Sequence, residues 1–355
     1  MRRNIHIAAL VLVLCVILSG CSLWMDGEYL SVVPHQEQNL GSSNTVVDIT
    51  AYSQLPDVLT DMVESGMASG AVTAPELNQK DLRDYLDDVV KDVAENTAIG
   101  AYAVENITYD IGTNRGKFAI AFHISYYLNR SDVLRIKHVQ TTQEATALVG
   151  TALDECVDSL VVLVDDYTDA DYSQIVRTYA NDNPHTVMEI PQVTTRIYPE
   201  QGEKRVVELR FTYQTDREKL LEMQKQVELI FTSAELYVKE IDQIQDVYSR
   251  LYSFLMERHD YTFESSTTPS FSLLYRGVGD SRAFANVYAA MCRRVGLDCR
   301  VISGTKNGTP WSWNYVRYRG NYYHVDLLQC HWQGEFAMLR NAEMQGYVWE
   351  ETSFN

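Results

Sequence analysis

Gly277-Val278-Gly279-Asp280-Ser281-Arg282-Ala283-Phe284-Ala285 is the stretch on which the reading of the C-terminal third turns. Small residues lead into an apolar series that reads as a helix running to about Val295. Gly296 follows as its closing residue, since glycine takes the left-handed conformation that ends many helices. Arg300-Val301-Ile302-Ser303-Gly304 comes next as a strand. Trp311-Ser312-Trp313-Asn314-Tyr315-Val316, a turn at Gly320, and Tyr322-Tyr323-His324-Val325-Asp326 complete a helix-then-strands unit. His324 and Asp326 are two residues apart on one strand, so they share a face.

This run resembles the transglutaminase-like family. Its papain-like core sets a Cys at a helix N-terminus, a His on the following strand pair and an Asp on the strand after. The family reads as Gly-x-Gly-x-Cys-x-x-Tyr-Ala, a Gly at the helix end, His-Ala-Trp-Asn-x-Val, then Trp-Tyr-x-Val-Asp. The ending Phe336-Ala337-Met338-Leu339, with Met344 and Trp349, also looks like the tail of bacterial surface members. The resemblance covers roughly residues 242–355, about a third of the chain.

The resemblance stops at the chemistry. Ser281 stands where the family has its nucleophilic Cys, Trp311 stands where it has its His, and only Asp326 fits the triad. A Cys at a helix start beside an imidazole has its pKa lowered and is available as thiolate. A Ser hydroxyl is a weak nucleophile unless a base takes its proton. Trp has one N–H donor and no acceptor, so it cannot be that base. Ser281 then reads as a helix N-terminal residue with ordinary capping propensity. Trp311 reads as aromatic filling that plugs the cleft or as a stacking platform in an open one, with Trp313 and Tyr323 as further binding aromatics. One rescue is a shift of base to His324.

Upstream, residues 46–129 and 130–216 read as two tandem, duplicated α+β modules. In the first, strand Val46–Ala51 leads through Ser53-Gln54-Leu55-Pro56 into a helix with Leu55, Leu59, Met62 and Val63 on one face. A strand near Ala71, a helix over Leu82–Val93, and strands near Ala101–Tyr109 and Phe118–Tyr127 follow. The second repeats the order: helix Gln143–Cys156, strand Leu160–Val164, helix Asp171–Tyr179, strands Val193–Tyr198 and Val206–Tyr213. Tyr85 and Tyr172, and Tyr126 and Tyr213, stand at the same offset. Neither module carries a chemical motif, and His123, His138 and His185 are isolated. Residues 217–241 read as a helical connector, and residues 242–355 as the transglutaminase-like domain. The fold class is therefore α+β.

At the N-terminus Arg2 and Arg3 precede an apolar run from Ile7 to Leu18. That suits the apolar region of a signal peptide and is too short to span a bilayer. Leu18-Ser19-Gly20-Cys21 resembles the bacterial lipobox, which implies cleavage after residue 20 and a lipid on Cys21. Residues 21–45 read as a flexible tether. Net charge is −18, which argues against nucleic acid and against electrostatic adhesion to anionic lipid. Of six Cys, Cys156, Cys292, Cys299 and Cys330 remain after Cys15 and Cys21 are accounted for. Their spacing shows no metal-site pattern, and sequence leaves free thiols and disulfides equally open.

The expectation is a membrane-anchored extracytoplasmic lipoprotein on the outer side of the cytoplasmic membrane. Its degenerate domain would bind an envelope protein or a peptidoglycan-type glycan-peptide, without cofactor or metal. The alternative is a hydrolase or acyl transferase with Ser281 as nucleophile, Asp326 as orienter and His324 as base.

Overall fold

The computed structural model describes residues 46–75, 79–114 and 116–350. The stretch read as a signal peptide, Cys21 and the stretch read as a tether lie outside the described residues. Everything from Val46 onward falls within one compact unit, Ser43–Asn355. No helix among the described residues is long and apolar enough to cross a membrane.

The first module runs β1 (Val46–Asp48), α1 (Leu55–Glu64), β2 (Ser69–Ala74), α2 (Gln79–Asn96), α3 (Ala98–Ala103), β3 (Val104–Asn114) and β4 (Lys117–Tyr126). Its sheet has the order β1-β2-β4-β3, with β1 parallel to β2 and the other pairs antiparallel. Leu55, Leu59, Met62 and Val63 of α1 are all buried, as their spacing requires. On α2, Leu82, Leu86, Val89 and Val93 face the same core.

One expectation fails here. Residues Ala101–Ala103, read as the start of a strand, form the last turns of α3, and β3 begins at Val104. Thr97 opens α3 by accepting from Gly100 N at 3.2 Å. A side chain at Gly100 would sit 1.9 Å from Val93 O, so only glycine lets α3 turn directly off α2.

The second module runs α4 (Arg130–Val133), β5 (Lys137–Thr141), α5 (Thr142–Asp154), β6 (Ser159–Asp166), α6 (Tyr172–Asp182), β7 (Gln192–Tyr198) and β8 (Arg205–Thr212). Its strand order, β5-β6-β8-β7, and its pairing senses repeat those of the first module. Of the isolated histidines, His123 lies 3.5 Å from Asp110, His138 meets Asp165 at 2.9 Å, and His185 packs against Phe231. The modules touch through Lys204 Nζ and Glu64 Oε1 at 2.6 Å, and Leu163 and Val206 reach the first module's core.

The helical stretch that follows is two helices, α7 (Arg217–Val238) and α8 (Ile244–Met256). Residues 217–241 are not a separate connector. Leu220, Met223, Val227, Phe231, Ala234 and Val238 recur every three or four residues and bury into the same core as the C-terminal domain.

That domain continues with β9 (Asp260–Tyr261), α9 (Pro269–Arg276), β10 (Val278–Gly279), α10 (Ser281–Arg294), β11 (Cys299–Lys306), β12 (Thr309–Tyr318), β13 (Asn321–Val325), α11 (Leu327–Gln333) and β14 (Tyr347–Val348). The sheet order β13-β12-β11-β14 is antiparallel throughout. The register is set by two-residue turns in which both residues have positive φ, Asn307-Gly308 and Arg319-Gly320. They place Lys306 opposite Thr309 and Tyr318 opposite Asn321. Helix α10 is buried along almost its whole length, and its Ala285 O accepts from Asn314 Nδ2 at 2.8 Å. Cys156, Cys292, Cys299 and Cys330 are buried free thiols.

Candidate functional site

Ser281 is the first helical residue of α10 and does not cap it. The cap is Asp280, whose Oδ1 accepts from Ala283 N at 2.8 Å while Oδ2 accepts from Ser265 Oγ at 2.5 Å. Asp outcompetes Ser here because its charge also suits the positive end of the helix dipole. Ser281 is buried, and its Oγ accepts a hydrogen bond from Ser312 N at 3.2 Å. No imidazole or carboxylate bonds that hydroxyl among the described residues.

Trp311 lies on β12, opposite Gly304, and is 7% exposed. Its Nε1–H donates to Asp326 Oδ2 at 2.9 Å. The indole therefore keeps the donor half of a triad imidazole, the N–H held by the carboxylate. It has no second nitrogen to accept a proton.

Asp326 is almost fully buried and caps α11, with Oδ1 accepting from Gln329 N at 3.1 Å. Its Oδ2 also accepts from Lys306 Nζ at 3.0 Å and Tyr347 OH at 2.6 Å. A buried carboxylate is tolerated only when its lone pairs are met, and four donors meet them here. Burial first, and then the Asp326 charge, push the Tyr347 hydroxyl far above its ordinary range, so it stays a donor.

Lys306 was not singled out from the sequence. Its ammonium donates to Asp326 and, at 2.7 Å, to Gln329 Oε1. It also lies 5.1 Å from the ring centres of Trp311, Trp332 and Tyr347. This box of aromatic faces satisfies the cation where water has largely been excluded. The Asn307-Gly308 turn was the available signal. A two-residue turn fixes the hairpin register, and with alternation it puts Lys306 on the face of Gly304 and its partner Trp311.

His324 does not reach Ser281. It is fully buried, with Nδ1 accepting from Trp313 Nε1 at 2.9 Å. Since Trp only donates, Nε2 carries the proton and donates to Asn341 Oδ1 at 3.1 Å. Burial lowers its pKa, so the ring is neutral and fully engaged. Trp313, read as a binding aromatic, is 1% exposed and packs among His324, Tyr347 and Trp349, beyond the reach of a ligand. Tyr323 is half-buried against the same core.

The exposed aromatic surface belongs instead to residues the sequence reading passed over. Tyr261 bridges Trp311, Trp332 and exposed Phe263 at ring separations of 5.4, 6.0 and 5.0 Å. Trp332 is 55% exposed, beside a buried Trp311. Trp311 is thus the floor, and Trp332 and Phe263 offer the open faces. No group of His, Cys, Asp and Glu that could hold a metal occurs among the described residues.

Residues 233–351 match the profile of the Transglutaminase-like superfamily. Among solved structures, a TGase is 10% identical with a TM-score of 0.27, covering 54% of this chain and 59% of its own. A protein described as a candidate protease from Parabacteroides distasonis is 8% identical with a TM-score of 0.25, covering 72% of this chain and 39% of its own. A candidate cysteine protease from Cytophaga hutchinsonii is 12% identical with a TM-score of 0.23, covering 54% of this chain and 73% of its own. This chain thus spans less than two thirds of the first two. No curated protein matches it. On the family match over residues 233–351, the C-terminal part of this chain is a transglutaminase-like domain, and its helix and strands carry Ser281, Trp311 and Asp326.

Proposed function

We propose that the chain is an extracytoplasmic lipoprotein, held at the outer face of the membrane by a lipid on Cys21. Its transglutaminase-like domain is non-catalytic and binds an envelope protein or glycan-peptide. The observation that carries the reading is the Trp311 Nε1–Asp326 Oδ2 hydrogen bond. It fills the place of the imidazole–carboxylate pair with a group that cannot take a proton. Lys306 supports the same reading, because its ammonium is spent on Asp326 and Gln329. Losing the nucleophile and base of a unit that acts together removes most of its rate enhancement. Trp332 and Phe263 supply rigid aromatic contact surface of the kind binding sites use.

The alternative hydrolase or acyl transferase needs His324 to leave Trp313 and Asn341 and turn toward Ser281. The test is amide hydrolysis and amine transfer on generic peptide substrates by the intact chain. The expected result is no turnover, and turnover abolished by Ser281→Ala would overturn the non-catalytic reading. For the anchor, Cys21→Ala should release the protein into the soluble fraction; undiminished membrane association would contradict it.

A further inference from the structure

A second concave site lies on the α10 side of the sheet, away from Trp311. Ser303 and Ser312 are paired across β11 and β12 and alternate with Gly304 and Trp311, so they face the opposite way. On that side a cleft of about 730 Å3 opens between α6 of the second module and α10 with β11. That volume is within the usual range of small-ligand sites, about 300–1,000 Å3.

The charges in the cleft run against those of the chain. The whole sequence carries −18, yet three guanidiniums line this cleft against the carboxylates of Asp182 and Asp298. Two of the three are braced. Arg293 donates to Asp182 O at 2.6 Å and Cys299 O at 3.2 Å. Arg300 lies 3.6 Å from Asp298 Oδ1 and donates to Tyr322 OH at 3.3 Å. Arg282 is exposed and makes no hydrogen bond or ion pair among the described residues. Its planar fork, always charged, matches a carboxylate with two parallel hydrogen bonds.

Next to it is a half-used amide pair. Asn286, one helical turn on from Arg282 and 8% exposed, donates Nδ2–H to Asn181 Oδ1 at 2.9 Å. That bond leaves Asn286 Oδ1 as an acceptor and Asn181 Nδ2 as a donor, neither with a partner among the described residues. An acceptor beside a donor is the complement of a peptide group. The lining holds no aromatic ring, so nothing is offered to the face of a sugar or a base.

We propose that this cleft binds a short acidic peptide. Arg282 takes a side-chain carboxylate, and Asn286 Oδ1 and Asn181 Nδ2 take a backbone N–H and C=O. The proposal rests on the reading of the chain as a binding module, and gives that module a ligand class and a site.

The test is calorimetric titration of the full-length chain, in non-ionic detergent, with a blocked hexaglutamate peptide. Hexaglutamine and inorganic phosphate are run in parallel. The expected result is saturable one-to-one binding of hexaglutamate. It should weaken about tenfold or more in Arg282→Glu, recover in part in Arg282→Lys, and weaken from about 50 to about 300 mM salt. Hexaglutamine should not bind. Absence of saturable binding, or an affinity unchanged in Arg282→Glu, overturns the assignment. Phosphate binding as tightly as the peptide does so too, because the site then reads only charge. Cleavage of hexaglutamate that Ser281→Ala abolishes would instead remove the non-catalytic reading and leave the cleft assignment standing.

Discussion

An indole at position 311 has one N–H and no lone pair to offer, and Asp326 holds that N–H at 2.9 Å. The carboxylate is the hub of the site, because Lys306, Tyr347 and the Gln329 backbone converge on it. Removing the cation should therefore hurt more than a surface pair would. Lys306 is 13% exposed and Asp326 3%, so the pair is only slightly screened. Lys306→Met keeps most of the packing and leaves Asp326 with three donors. Destabilisation of about 2–3 kcal/mol is expected, measured as a fall in the urea midpoint at unchanged slope. A change within about 0.5 kcal/mol would mean that the aromatic box does not hold the ammonium. At this scale the sequence was readable where identity decides chemistry, as at Ser281, Trp311 and Asp326. It was not readable where partners come from across the sheet. Nothing along the chain says that His324 spends both nitrogens on Trp313 and Asn341.

At the scale of elements, apolar spacing decided most assignments, and the failures have local causes. Helix α3 was hidden because Ala101–Ala103 suit a helix or a strand, and the close approach of Gly100 to Val93 O decides between them. Strand β5 has one half-buried face and polar residues at every position but Val139, too weak an alternation to stand out. Helix α7 looked like a connector because sequence shows a buried face and not what buries it. Strand β14 is the element the site depends on most. It carries Tyr347 to Asp326 and pairs with β11 at Thr305 and Lys306 only. That pairing requires Gly304, since a Cβ there would lie 2.2 Å from Val348 O. Gly304→Ala should push β14 off the sheet edge and destabilise by about 1–3 kcal/mol, the range of overpacked sites. Backbone amides of 347–348 should then lose hydrogen-exchange protection while α10 keeps its own. Uniform protection in the variant would show that β14 has room to shift.

At the scale of the whole molecule, two histidines, the half-buried His185 and the fully buried His324, tie stability to pH. Burial lowers the folded pKa of both His185 and His324 below the ordinary value near 6.5. The unfolded chain takes up these protons first as pH falls. Stability should be unaffected by them above about pH 6.5, decline below it, and level off once the folded-state pKa values are passed. The carboxylates held low by partners, such as Glu228 beside Arg294, act in a separate window as pH falls through their own depressed values. Chemical unfolding at pH 7 and pH 5 should show a lower midpoint at pH 5. His324→Gln should flatten that slope by up to ~1.4 kcal/mol per pH unit, the value for one proton. Residues of the second module, the helical pair and the C-terminal domain share one buried core, so the intact chain is the object on which the central claim is tested. That claim is that position 311 occupies the triad carboxylate, Asp326, with a group that has no base to offer Ser281. The most direct measurement is the alkylation rate near pH 7 of a thiol placed by Ser281→Cys, with and without Trp311→His. The native thiols are buried, and burial raises the pKa of Cys156, Cys292 and Cys330, so they react slowly. An imidazole restored beside Asp326 should lower the new thiol's pKa and raise its rate about tenfold over the single variant. Equal rates in the two variants would contradict the account, because residue 311 would then not face residue 281.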